Sequence, residues 1–144
     1  MELYIGGCGQ DKLSVVLDSQ KELSKSESGR TAAGERPEIF HGEEILSSRV
    51  FQCRVINHFH LILRKMPESD IPLFLEELYE KNPDVIIICD EVGNGIVPVE
   101  KEERLYREQV GRSCQWLAAK SRRVVRIVCG CKQVIKEQTD REKK

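Results

Sequence analysis

The fold class this sequence predicts is an α/β domain on a mostly parallel sheet, and two observations carry it. Three short apolar runs, at Glu2–Ile5, Val85–Cys89 and Val124–Val128, read as strands, each with glycine within the next few residues. The stretches between them place apolar residues at steps of three and four, the period of helices packed against a sheet. Alternation of this kind puts the loops that follow the strands along one edge of the sheet, where ligands bind in such folds.

Taken in order, Glu2–Ile5 enters the tight turn of Gly6 and Gly7, and Leu13, Val16 and Leu17 mark a helix from Lys12 to about Leu23. Residues 24–37 are rich in Ser, Gly and charge and read as a flexible loop. Ile39–Phe40 forms a short strand closed by Gly42. From Ser48 to Met66, the residues Phe51, Val55, Phe59, Ile62 and Met66 make one apolar stripe, which predicts a long helix ended by Pro67. A second helix runs from Ile71 to Glu80. Val85–Cys89 is then a continuous β-branched run with no polar face, as a strand covered on both sides requires. Gly93, Gly95 and Pro98 break the chain before a helix from Glu102 to Lys120, with Leu105, Cys114, Leu117 and Ala118 facing inward. Val124–Val128 is the last strand, Gly130 begins the turn beyond it, and residues 137–144 form a charged, frayed tail. The 144 residues read as one domain.

A net charge of −1 argues against a nucleic-acid binder, and no apolar run approaches the length of a membrane span. The first residues lack a basic region followed by an apolar stretch, so a cytoplasmic protein is expected. Six cysteines with no export signal read as reduced, buried thiols, and Cys129-Gly130-Cys131 alone is a weak metal motif.

Two glycine-rich turns could carry chemistry. Gly6-Gly7-Cys8-Gly9-Gln10-Asp11-Lys12-Leu13 has the first glycine and the lysine of a phosphate-binding loop, between strand and helix. Such a loop wraps phosphates in backbone amides, neutralises them with lysine and holds Mg²⁺ through a hydroxyl. Here Asp11 stands for the second glycine and Leu13 for the hydroxyl residue. The other turn, Asp90-Glu91-Val92-Gly93-Asn94-Gly95-Ile96-Val97-Pro98, puts two carboxylates at the end of a strand, where they could meet a metal–nucleotide.

This second turn resembles the N-E-V-G-x-G-I-V-P signature of the bifunctional adenosylcobinamide kinase/adenosylcobinamide-phosphate guanylyltransferase family. The similarity continues in register through Arg104 and Tyr106-Arg107-Glu108, Gly111-Arg112 with Leu117-Ala118, Cys129-Gly130 and Ile135-Lys136. Full-length members carry G-G-x-x-S-G-K-S at the first loop. A shorter group carries G-G-x-x-Q-G-K-L, in which Gln10 and Leu13 are ordinary and Asp11 alone departs. A D-C-L-T-L-W strand of the full-length members has no counterpart here.

The resemblance implies a P-loop NTPase-like three-layer domain that binds GTP or ATP with Mg²⁺, and a homo-oligomer. It further implies an enzyme of cobalamin biosynthesis that guanylylates adenosylcobinamide phosphate and also phosphorylates adenosylcobinamide, the second step being the one that Asp11 and Leu13 put in question. Gly6, Gly7, Cys8, Gly9, Gln10, Asp11, Lys12 and Leu13 would hold phosphates, with Arg64, Arg104 and Arg107 on further anionic oxygens and Arg64 also catalytic. Asp90 and Glu91 would hold Mg²⁺, with Glu91 also catalytic. The family forms a guanyl–histidine intermediate in an R-[IV]-x-x-H-x-x-x-R region, matched in halves by Arg54 to His58 and by His60 to Arg64. His60 is the expected acceptor, because on a helix Arg64 stacks one turn from it. The alternative is a non-catalytic relative that binds a nucleotide or corrinoid and acts through a protein partner.

Overall fold

The computed structural model describes residues 1–27 and 37–138. Six strands, β1 (Glu2–Gly6), β2 (Ile39–His41), β3 (Val55–Asn57), β4 (Ile86–Asp90), β5 (Arg123–Val128) and β6 (Cys131–Glu137), form one sheet in the order β2-β3-β4-β1-β5-β6. All neighbours pair parallel except β5 and β6. The helices are α1 (Lys12–Glu27), α2 (Phe59–Arg64), α3 (Ile71–Lys81) and α4 (Lys101–Lys120).

Strand alternation divides the core into two clusters, one on each side of the sheet. Tyr4, Val55, Ile86, Ile88, Val125 and Ile127 meet Val16 of α1 on one side. Leu3, Ile56, Ile87 and Cys89 meet α2, α3 and α4 on the other. The chain is thus a P-loop NTPase-like α/β domain of three layers, as its sequence predicts.

The largest departure lies at 48–66. A long helix is expected there, whereas the structure has a 3-10 turn (Ser48–Phe51), then β3, then the short α2. Val55 turns to the α1 side while Phe59 and Ile62 face the other cluster, so the apolar residues do not form one stripe. A step of four is also an even step, and β-branched Val55 and Ile56, paired with β2 and β4, are covered on both faces as a strand. His58 and His60 are consequently not two positions on one helix. His58 has φ +53°, ψ +47° and precedes α2, whereas His60 lies in its first turn.

Smaller corrections follow. α1 continues through Glu27, so 24–27 belong to a helix and not to the expected loop, while 28–36 lie outside the described residues. Glu137 closes β6, an antiparallel edge strand that no apolar pattern announced, and 139–144 lie outside the described residues. On α4 the buried residues are Tyr106, Val110, Ser113 and Leu117, and Leu105 is exposed. All six cysteines are free, but only Cys53 and Cys89 are buried; Cys8, Cys129 and Cys131 are exposed and Cys114 is half-buried.

Candidate nucleotide-binding site

The site grows from the register of two central strands. In the parallel pair of β1 and β4, Gly6 lies opposite Asp90, and the Glu91 amide donates to the Gly6 carbonyl at 3.0 Å. The glycine-rich turn and the acidic turn therefore leave the sheet side by side at its carboxyl edge, the edge at which α/β sheets take ligands. Gly6 is held by packing, since a Cβ there would stand 2.4 Å from the Ile127 carbonyl oxygen. Gly9 and Asp11 both take positive φ, at +73° and +58°. The loop thus keeps at Asp11 a left-handed conformation that suits glycine, and aspartate is one of the residues that tolerates it. The Asp11 side chain is exposed.

Lys12 opens α1 and folds back under the loop. Its ammonium donates to the Gly7 carbonyl at 2.7 Å and pairs with Asp90 Oδ1 at 2.7 Å, and the residue is 6% exposed. Gln10 accepts a hydrogen bond from the Cys129 amide, tying the loop to the β5–β6 turn.

His60 meets the same aspartate from α2. The Asp90 amide donates to His60 Nδ1 at 3.3 Å, and Nε2 stands 3.9 Å from Asp90 Oδ2. Burial lowers the pKa of the ring below its ordinary value, against the opposing pull of the Asp90 carboxylate. A neutral ring that accepts at Nδ1 carries its proton on Nε2, facing the carboxylate. The Tyr106 hydroxyl donates to the His60 carbonyl at 3.0 Å, anchoring the first turn of α2 to α4. His58 contacts Glu43 through Nδ1 and lies edge-on to His60, with ring centroids 5.8 Å apart.

Other expected site residues stand apart from Lys12, Asp90 and His60. Both oxygens of Glu91 accept from Arg126 of β5, at 2.9 and 3.0 Å, and Oε2 accepts from Asn94 at 2.8 Å. Arg64 pairs with Glu103 and lies over the Tyr106 ring at 4.7 Å. Arg104 donates to the Pro98 carbonyl and Arg107 to the Ile96 carbonyl, each at 2.9 Å, so both hold the 93–100 turn on α4.

For Mg²⁺ the donors divide. Asp90 has oxygen lone pairs left beyond the Lys12 contact and fits as one protein ligand beside nucleotide phosphates and water. Glu91 is engaged more fully, with Arg126 on both oxygens and Asn94 on Oε2, which leaves it fewer free lone pairs than Asp90. No group of three or more metal-ligating side chains occurs among the described residues.

Sequence reasoning overlooked Arg126, whose place inside a strand gave no sign of pairing with Glu91. It also overlooked Lys65, which donates to the carbonyls of Gly42, Glu43 and Glu44 at 2.7–3.0 Å and fixes the loop that carries Glu43. Beyond that loop, Ile62, Met66, Leu73 and Phe74 line an open groove of about 640 Å³, which none of the glycine-rich turn residues reaches. No helix among the described residues is long and apolar enough to cross a membrane.

Residues 47–135, more than half of the chain, match the family model described as cobinamide kinase/cobinamide phosphate guanyltransferase. The matched stretch contains His58, His60, Asp90, Glu91, Arg104 and Arg107 and leaves the turn at 6–13 outside it. No curated protein matches the chain.

Proposed function

The chain belongs to the cobinamide kinase/cobinamide phosphate guanyltransferase family, and from that premise we propose that it uses GTP to guanylylate adenosylcobinamide phosphate. The observation that carries this reading is the meeting of Lys12, Asp90 and His60, from three elements, at the carboxyl edge of the sheet. Amides of Gly6 to Gly9 and the Lys12 ammonium would receive the triphosphate, drawing the ammonium away from Asp90. Asp90, so released, would hold Mg²⁺, which supplies charge neutralisation to the phosphates.

In the first step a lone pair of the acceptor histidine attacks the α-phosphorus of GTP. The P–N bond forms, the bond to the β-phosphate oxygen breaks and pyrophosphate leaves. In the second step a phosphate oxygen of adenosylcobinamide phosphate attacks that phosphorus, and the P–N bond breaks to restore the imidazole. His60 is the acceptor in this proposal. In its neutral tautomer the lone pair is on Nδ1, while the Nε2 proton faces Asp90, whose carboxylate would stabilise the imidazolium that forms. Attack requires the ring to leave the Asp90 amide, and at 3.3 Å that is a long hydrogen bond.

One observation favours a second acceptor. With Nδ1 held by Glu43, His58 would keep its proton there and present the Nε2 lone pair. Phosphorylation of free adenosylcobinamide belongs to the proposal only as a companion activity, because Leu13 supplies no hydroxyl to the metal. The implied homo-oligomer is also part of the proposal, supported by three apolar side chains exposed on the 93–100 turn.

The test is to incubate the chain with GTP labelled at the α-phosphate, and Mg²⁺, and look for protein-bound GMP. A phosphoramidate is expected, labile in acid and stable in base, and discharged by adenosylcobinamide phosphate. His60→Ala should abolish labelling and His58→Ala should retain it; the reverse moves the acceptor to His58. No label under conditions where GTP binds would replace the enzyme with a non-catalytic nucleotide-binding relative.

A further inference from the structure

Beneath the site, the thiols of Cys89 and Cys114 approach to 3.6 Å. Cys89 is the residue before Asp90 on β4 and lies on the face of the sheet that carries α2, α3 and α4, opposite α1, where Cys114 of α4 packs against the same core. Neither takes part in the reaction proposed above. Cys89 is fully buried, whereas Cys114 is half-buried and so within reach of a small reagent.

We propose that Cys89 and Cys114 form an oxidisable dithiol, a modification site at which a hydroperoxide converts the pair into a disulfide linking β4 to α4. The asymmetry of the pair assigns the roles. Cys89 lies wholly within the core between β4 and α4, whereas Cys114 is only half-buried. Cys114 is then the sulfur that meets the oxidant, and Cys89, 3.6 Å behind it, the one that closes the disulfide. Of two neighbouring thiols, the partly accessible one is the one whose thiolate form a peroxide meets.

The Cys114 thiolate attacks the terminal oxygen of the hydroperoxide. The S–O bond forms, the O–O bond breaks and the alkoxide or hydroxide that leaves takes up a proton, giving a sulfenic acid on Cys114. The Cys89 sulfur, losing its proton, then attacks the Cys114 sulfur; the S–S bond forms and the S–O bond breaks, releasing water. Two thiols lose two electrons, and the peroxide gains them. The contact must close to about 2.05 Å for the bond to form, which draws Cys89 toward α4. The next residue is Asp90, whose amide holds His60 and whose carboxylate holds Lys12. The modification therefore lies one peptide unit from the centre of the site, but its occurrence does not depend on the reaction catalysed there.

The experiment treats the intact chain with hydrogen peroxide, quenches with an alkylating agent under denaturing conditions and maps the peptides by mass. A peptide pair linked through Cys89 and Cys114 is expected, reversed by dithiothreitol. Cys89→Ser should instead leave a sulfenic acid on Cys114, trapped by a cyclic 1,3-diketone. Cys114→Ser should lower oxidation of Cys89 by about tenfold or more, because the buried thiol has lost its reactive partner. The wild-type map decides the matter even if a variant fails to fold. Recovery of Cys89 and Cys114 as alkylated free thiols, while exposed Cys8, Cys129 or Cys131 are oxidised, would overturn the proposal. So would a bond from either residue to any other cysteine.

Discussion

Burying an ammonium to 6% exposure calls for an anion beside it, and Asp90 at 2.7 Å supplies one for Lys12. Lys12→Met should cost about 3 kcal/mol, because it strands a largely buried carboxylate. Adding Asp90→Leu should recover most of that stability, since replacing both partners of such a pair is often near neutral. Urea unfolding of the three variants checks both outcomes, and the double variant should still fail to bind GTP. Asp11 poses a different question, because its backbone already has the shape glycine would give and its carboxylate is exposed. Asp11→Gly should tighten GTP binding by about fivefold, the removal of roughly 1 kcal/mol of well-solvated charge repulsion. Calorimetry showing equal or weaker binding would mean that no phosphate sits near residue 11. His60 ties stability to pH. Its pKa is lowered on folding, so below pH ~6.5 the unfolded chain takes up the proton first and the folded state loses stability. The loss should accumulate as pH falls from about 6.5 to the folded-state value and cease below it, and His60→Leu should flatten that part of the stability–pH curve.

At the scale of elements, the acidic turn is held from two directions. Glu91 is bound by Arg126 of β5, and the residues after it are bound by Arg104 and Arg107 of α4. Glu91→Gln and Arg126→Met should each lower stability only slightly, as a part-exposed ion pair allows, and their double variant should cost little more than either. Denaturation midpoints test this, and additive losses would mean that the pair is not coupled. Elements whose cause is local were legible from sequence. Val85–Cys89 is apolar without interruption, and α4 opens and closes near the positions its pattern implies. β3 was not legible, because what makes Val55–Asn57 a strand is pairing with β2 and β4, from 16 and 31 residues away at Ile39 and Ile86. β6 was not either, since nearly all its side chains are exposed and leave no alternation to read.

Across the whole molecule, the partial legibility of the site has one physical root. Lys12, His60 and Asp90 could each be singled out by chemistry, but what joins them is the register of Gly6 against Asp90 and the placing of α2, and both are tertiary. The arginines differ: Arg64, Arg104 and Arg107 suggest anion binding by type, and their partners in this structure are Glu103 and backbone carbonyls. Those carbonyl contacts bear on assembly as well. They hold out a turn on which Ile96, Val97 and Val99 are 91%, 72% and 89% exposed, three large apolar side chains in four residues. A patch fixed in place by its own helix has no core to return to, so burial against a second copy is the way to remove it from water. The chain should therefore sediment as an oligomer, and Ile96→Asp with Val99→Asp should shift it to monomer. Because these side chains contribute little to the folded core, the double variant should keep its unfolding free energy within about 0.5 kcal/mol per substitution. Guanylyl labelling of the same variant then asks whether assembly completes the site: labelling retained in the monomer places the whole reaction within one chain, and labelling lost on a stable monomer makes the partner's contribution necessary. Sedimentation of the unaltered chain as a monomer at the concentrations used for labelling would remove the premise.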